Sequence, residues 1–164
     1  MSNPDPASIA TLRAHITKHL DLLDQSQQEI VDAISEDIPI LGKTPRAAVL
    51  VAGLLENYYT CAETIFVRIS QFFENNLDTG RWHKDLLERM TLKIEPVRPQ
   101  VISQPVKEDL VELMRFRHFR RYYFGAAYDW ERLDALVTRC NRVHPTLLAD
   151  VRGFLGFLNT LLEE

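Results

Sequence analysis

Apolar positions recur along this chain at steps of three and four, the spacing that lines one face of an α-helix. Ile9, Leu12, Ile16, Leu20 and Leu23 open the first stripe, and Ile30 and Ile34 continue it. Lys18, Asp21, Asp24, Gln28 and Glu29 fill the opposite face. The spacing predicts a long helix that begins after Pro6, solvated on one side and packed on the other. Residues 36–43 hold a proline and a glycine and are expected to form a loop. Thr44-Pro45 then reads as a helix start, because threonine accepts a backbone N–H at the N-cap and proline fits the first helical position. The stripe that follows (Val51, Leu54, Leu55, Tyr58, Ala62, Ile65, Ile69, Phe72) covers a wide face. It predicts a helix at the centre of the fold, ending near Asn75-Asn76.

A shorter helix is expected after Asp78-Thr79-Gly80, with Trp82, Leu86, Leu87 and Met90 on its apolar side. Three prolines between Glu95 and Pro105 argue against regular helix there. A loop of this length is often functional or mobile. The fourth helix is placed from about Lys107 to Phe124 on Leu110, Leu113 and Met114, followed by Phe116 or Phe119. Asp129 is a candidate cap for a short helix through Leu133, Leu136 and Val137, and a last helix is expected to start near His144-Pro145. No repeat or low-complexity tract interrupts the series. The fold class is all-α, a single domain over residues 1–164 built as an antiparallel up-down bundle of about five to six helices.

Composition agrees: 46% of residues are hydrophobic, 26% are charged and only 6 are glycine. That suffices for one core and speaks against disorder as the main state. The two cysteines, Cys61 and Cys140, have no metal-ligand spacing and sit on apolar stripes; they are expected to be buried free thiols. With no basic-then-apolar start and no bilayer-length apolar run, a cytoplasmic location without membrane contact is expected. The net charge of −4 excludes nucleic-acid binding by bulk charge, so any contact with RNA must use a local basic patch.

Residues 115–124 supply one: Arg115-Phe116-Arg117-His118-Phe119-Arg120-Arg121-Tyr122-Tyr123-Phe124. Helical spacing gathers Arg117, His118, Arg121 and Tyr122 into one contiguous patch. Arginine forks match phosphate oxygens, and an imidazole gives or takes a proton near neutral pH. RNA cleavage without metal needs those functions, a base for the 2′-hydroxyl and cations for the charge that builds on the phosphoryl oxygens. Tyrosines can stack on unpaired bases. The plainer reading is a solvated face whose arginine stems lie over rings.

Other polar residues carry less. Glu56 and Glu63, seven apart on one helix face, are paired carboxylates of a kind that can serve acid–base work, but they are rather expected to pair with arginines of the fourth helix if the two helices are neighbours, holding the guanidiniums in place. His15 and His19 share a face but suggest no third ligand, and they are taken as surface residues. His83 reads as a capping or packing residue and His144 as a helix-start residue. Glycine-rich phosphate loops, serine-nucleophile motifs and dinucleotide fingerprints are missing, and neither a cofactor nor a metal is expected.

Six segments together resemble the HepT-like ribonuclease domains of the HEPN superfamily. They are Glu56-Asn57-Tyr58-Tyr59, Glu63-Thr64-Ile65-Phe66, Trp82-His83-Lys84-Asp85-Leu86-Leu87, Arg98-Pro99-Gln100-Val101-Ile102-Ser103, Phe116-Arg117-His118-Phe119-Arg120-Arg121 and Tyr128-Asp129-Trp130-Glu131-Arg132-Leu133. The resemblance spans roughly residues 50–140. It implies a helical bundle and a toxin of a toxin–antitoxin pair. It also implies a homodimer that forms a composite RNA-cleaving site, and a nucleotidyltransferase antitoxin as partner. In some such pairs the antitoxin modifies a tyrosine just after a motif histidine. Arg117 matches the motif arginine, but Tyr122 stands where the histidine is expected and Phe124 where the modified tyrosine is expected. A phenol is a poor general base at neutral pH. Two expectations follow: His118 takes over proton transfer, or the chain is a catalytically degenerate binding or regulatory partner of a nucleotidyltransferase. Phe124 has no hydroxyl to modify, which leaves Tyr123 as a displaced acceptor.

Overall fold

A computed structural model describes residues 4–74, 82–122 and 127–163, with the backbone alone at 82–84. Helix α1 spans Pro6–Asp32, and a π-helical turn, Ala33–Asp37, carries it into the short α2, Ile38–Leu41. Then come α3 (Pro45–Glu74), α4 (Trp82–Thr91), α5 (Gln104–Tyr122) and α6 (Trp130–Glu163).

Local chemistry sets most of the described boundaries. Asp5 accepts the Ser8 backbone N–H at 3.2 Å and caps α1, with Pro6 at the first position. Gly42 ends α2 at φ +74°, a left-handed conformation that favours glycine. Thr44 accepts the Ala47 N–H at 3.1 Å and starts α3, as its sequence predicts. Asp129 caps α6 through the Glu131 N–H at 3.1 Å.

Three sequence expectations are corrected. The 36–43 segment is not an open loop: the end of the π-helical turn and α2 occupy most of it. Pro39 falls in the first turn of α2, where a proline's missing N–H has little to lose. The fourth helix begins at Gln104 rather than Lys107, with Pro105 in its first turn. The short helix and the last helix are one, α6, with Pro145 inside it. Pro145 is exposed, so the carbonyl that it leaves without a helical donor is on the side that faces water. The apolar stripe on the other side (Val137, Cys140, Val143, Leu147, Val151) runs through unbroken.

Cross-helix contacts give the topology. Arg13 meets Asn159 and Gln27 meets Asn141, so α1 and α6 are antiparallel. The Cys61 thiol donates to the His19 carbonyl, while Arg68 and His15 line one groove, so α1 and α3 are antiparallel. Glu56 meets Arg120 and Glu63 meets Arg117, which makes α3 and α5 antiparallel. Asp109 holds Arg139 and Arg142, while Phe116 lies under Arg132, so α5 and α6 are antiparallel too. Tyr58 touches His144 and Phe73 touches Phe154, which puts α3 and α6 parallel across the diagonal. The four long helices thus form an up-down-up-down bundle, with α3 apolar over a wide face at its centre. Tyr58, Tyr59, Phe66, Phe116 and Phe154 are the largest fully buried side chains.

The connection between α4 and α5 is rigidly tied. Arg98, with a fully buried side chain, donates through Nε and Nη2 to Glu74, through Nη1 to the Leu92 and Pro99 carbonyls, and through Nη2 to the Arg89 carbonyl. All five guanidinium N–H groups are used. Arg89 also pairs with Glu74, at 2.6 Å. The Met90 carbonyl accepts from Val101 and Ile102. The proline-rich loop is therefore not regular helix, as expected, but it is strapped onto the bundle by polar contacts.

Candidate functional site

The site sits on the outer face of α5, toward its C-terminal end. Phe116, Leu113 and Leu110 turn into the core, which fixes the phase of the helix. Residues one and two positions past Phe116 then fall at the edge and on the outside. Arg117 is at the α3 edge, with a side chain 14% exposed, whereas His118, Arg121 and Tyr122 are all exposed. Tyr122 is 65% exposed, a large ring left in solvent. The His118 and Tyr122 rings lie 4.7 Å apart, tilted by 43°. Arg121 has no ion-pair partner among the described residues. The four residues expected to form the patch are thus on one stretch of surface, with Arg117 as its half-sunken member.

Two carboxylates of α3 hold the inner edge, as the spacing of Glu56 and Glu63 anticipates. Glu63, 5% exposed, accepts from Arg117 Nη1 at 3.4 Å. The same carboxylate lies by the buried Tyr59 hydroxyl; burial first, then the Glu63 charge, pushes that hydroxyl's pKa up, and Arg117 pulls it down. Arg117 Nε is buried and has no partner among the described residues. Its guanidinium is therefore positioned by one long ion pair. Arg120 is bound more fully. It pairs with Glu56; burial works against its charge, but Glu56 and the nearby Tyr128 outweigh it and raise its pKa. Its guanidinium crosses α3 at Gly53, where a Cβ would stand 3.5 Å from Nη2. Arg132 of α6 stacks on Phe119, with its guanidinium carbon 5.0 Å from the ring centre, and extends the basic surface. Sequence reasoning names neither Arg120 nor Arg132 as part of the site. The unlike roles of adjacent arginines depend on helix neighbours that no linear spacing reveals.

A second polar group also escapes the sequence. His144 is not a helix-start residue: it lies within α6 and is buried. Its Nδ1 is 2.9 Å from the Tyr58 hydroxyl and its Nε2 is 2.7 Å from Asp24 Oδ1. Burial, with smaller contributions from Cys140, Cys61 and Asp24, drives the Tyr58 pKa upward. The phenol therefore keeps its proton; where it donates that proton to Nδ1, the neutral imidazole carries its own on Nε2, facing Asp24. This chain links α1, α3 and α6 away from the arginine face. Its signal in the sequence is a histidine in step with Cys140 and Leu148 on an apolar stripe.

The remaining candidates separate clearly. His15 and His19 are half-buried rather than on the surface, and His19 Nδ1 turns onto the His15 carbonyl at 2.8 Å. Among the described residues no cluster could hold a metal ion. Both cysteines are free; burial pushes the Cys61 thiol up to about 11 and the Cys140 thiol up to about 12. Tyr123, Phe124 and the His83 side chain lie outside the described residues. No described helix is long and apolar enough to cross a membrane.

Comparison with known proteins gives one family. The family described as HepT-like protein matches residues 50–158, which contain α5 and most of α3 and α6. No curated protein and no solved structure matches the chain.

Proposed function

Because the chain belongs to the HepT-like family, we propose that it is an RNA-cleaving toxin whose chemistry is carried by the outer face of α5. The observation that supports this most is the His118–Tyr122 ring pair at 4.7 Å, on the same face as Arg121, with Arg117 held at the edge by a buried carboxylate. Two cations, one imidazole and one exposed aromatic ring are groups suited to phosphodiester transfer to a neighbouring hydroxyl.

In this reading Arg117 and Arg121 bind the non-bridging oxygens of the scissile phosphate in fork geometry. His118 takes the 2′-hydroxyl proton as the 2′-oxygen attacks phosphorus. The bond from phosphorus to the 5′-oxygen breaks, and that oxygen leaves with a proton from a second imidazole. The products are a 2′,3′-cyclic phosphate and a 5′-hydroxyl. A homodimer supplies two copies of His118, one for each role, which is the chemical argument for a composite site. Tyr122 orients the ribose or stacks on the adjacent base. The partner proposed for this toxin is a nucleotidyltransferase-type antitoxin.

The test is cleavage of transfer and messenger RNA in the presence of EDTA by the wild-type chain, His118→Ala and Arg117→Ala. Cleavage by the wild type, lost in both variants with unchanged helical circular dichroism, is the expected result. Cleavage that persists in both variants would overturn the assignment.

A second reading rests on Tyr122 standing where the motif histidine is expected: a degenerate relative that binds a nucleotidyltransferase without cutting RNA. An inactive wild type that gains cleavage on Tyr122→His would favour it.

A further inference from the structure

Arg132, in the first turn of α6, leans back over α5. Its guanidinium carbon lies 5.0 Å from the centre of the Phe119 ring and 5.5 Å from that of Phe116. Several exposed cations of the chain, Arg46 and Arg152 among them, have no acidic partner among the described residues, so the lack of one at Arg132 marks nothing by itself. What sets Arg132 apart is its seat: among the described residues no other arginine lies over an aromatic ring. Such a contact engages the π-cloud and uses none of the guanidinium N–H groups. Arg132 makes no hydrogen bond or ion pair among the described residues, and Asp129, one turn earlier, is turned instead onto the Glu131 N–H that it caps, at 3.1 Å. A cation is thus held in place at the surface with its donors open.

The place of the Phe119 ring on α5 decides what that cation can meet. Taken around the helix at roughly 100° per residue from the buried Phe116, Arg120 and Arg117 come first, on the α3 side where Glu56 and Glu63 hold them. Arg121, His118 and Tyr122 follow on the exposed face, and Phe119 comes last, on the α6 side beneath Arg132. His118 and Tyr122 are therefore bracketed by cations, Arg117 and Arg121 on one flank and Arg132 on the other. The two flanks are one helix diameter apart, roughly 10–12 Å. One phosphate cannot meet both, but separate phosphates of a single strand that crosses α5 can. We infer that Arg132 is a further substrate-binding residue of the α5 face and holds a phosphate that flanks the scissile one. The inference rests on the reading of that face as an RNA site. Its consequence is a minimum substrate: tight binding needs at least one phosphate besides the one that is cut.

The test is binding of a fully 2′-O-methylated RNA hexamer, which has no 2′-hydroxyl to attack and so reports on binding whether or not the chain cleaves RNA. Fluorescence anisotropy of the labelled hexamer is followed against salt for the full-length wild type, Arg132→Gln and Arg132→Lys. The matching dinucleotide, with its single internucleotide phosphate, serves as competitor. Arg132→Gln, at an exposed position, should weaken the hexamer about tenfold. It should also flatten the slope of log affinity against log salt by about 0.7, the share of one phosphate on a single strand, and leave the dinucleotide unchanged. Arg132→Lys keeps the charge and should keep the salt slope. Arg117→Ala should weaken hexamer and dinucleotide alike. A hexamer that binds Arg132→Gln as it binds the wild type, with the same salt slope, overturns the inference and leaves the cleavage reading standing. So does an equal loss for hexamer and dinucleotide, since it would put Arg132 on the same phosphate as Arg117. A wild type that binds neither at low salt overturns the RNA reading of the face, and the inference with it.

Discussion

Tyr58→Phe removes one oxygen atom from the centre of the bundle and tests the Tyr58–His144–Asp24 chain directly. The ring stays, so apolar packing is nearly conserved. What is lost is the donor to His144 Nδ1, 2.9 Å away in a site where Tyr58 is 0% exposed. Water does not reach the emptied position without disturbing the packing, so the imidazole nitrogen becomes a buried acceptor with no donor. Such a group costs about 1–3 kcal/mol, partly offset by the apolar character that the phenyl ring gains. The expected loss is about 1–2 kcal/mol, or roughly 2–8 °C in Tm for a chain of this size. Asp24→Asn is the internal control. Asp24 is half-exposed, and an amide oxygen can still accept from Nε2–H, so about 0.5 kcal/mol or less is expected. Urea titrations followed by circular dichroism at pH 8 give both numbers. A Tyr58→Phe variant as stable as the wild type would refute the hydrogen bond. An Asp24→Asn loss as large as that of Tyr58→Phe would refute the proton placement, since it would mean that the pair is ionic.

Three further outcomes are expected. Gly53→Ala should stabilise α3 by about 0.5–1 kcal/mol, read as a higher Tm, because the new Cβ meets Arg120 at an ordinary 3.5 Å while the helix interior gains alanine. Glu63→Gln should cost about 1–2 kcal/mol in a denaturant melt, less than a sealed ion pair because Arg117 keeps 14% exposure. If RNA is cleaved, the same variant should lower kcat more than it raises KM, by loosening the guanidinium that the phosphate meets. Raised thiol pKa values make the folded state hold its protons longer than the unfolded chain. The stability they contribute is therefore complete below the ordinary thiol pKa and is lost as pH rises toward about 11 for Cys61 and about 12 for Cys140. Over that window Cys140 contributes a fall of about 1.4 kcal/mol per pH unit, and the more exposed Cys61 less. Denaturant midpoints measured from pH 8 to 11 should fall, and Cys140→Ala should flatten the decline.

The fold is largely legible in the sequence because α1, α3 and α5 write their burial in steps of three and four. Pro39, Pro105 and Pro145 are the obstacles. Each reads as a break, whereas proline is harmless in a first turn, as at Pro39 and Pro105, and tolerable on a solvated flank, as at Pro145. The α5 patch is legible from helical phase alone, and its pairing with Glu56 and Glu63 follows once α3 and α5 are taken as neighbours. The inequality of the arginines is not legible. Arg120 is held by Glu56, while Arg121, next to it, makes no ion pair among the described residues; the difference depends on which side of α5 faces α3. His144 is hidden for the opposite reason: a proline at the next position reads as the start of a new helix and masks the apolar stripe on which the histidine sits.

Arg98 makes the segment between α4 and α5 unusual among surface connections. Loops ordinarily accept insertions, because their backbones answer to water. Here the carbonyls of Arg89, Leu92 and Pro99 must all converge on one planar cation already fixed by Glu74. One added residue between Leu92 and Pro99 would move at least one carbonyl out of reach. Lysine at position 98 could not stand in, since three donors on a single nitrogen cannot span acceptors set around a fork. The stretch should therefore behave under mutation like core, intolerant of changes in length as well as of changes in residue, although it has no regular helix to announce it.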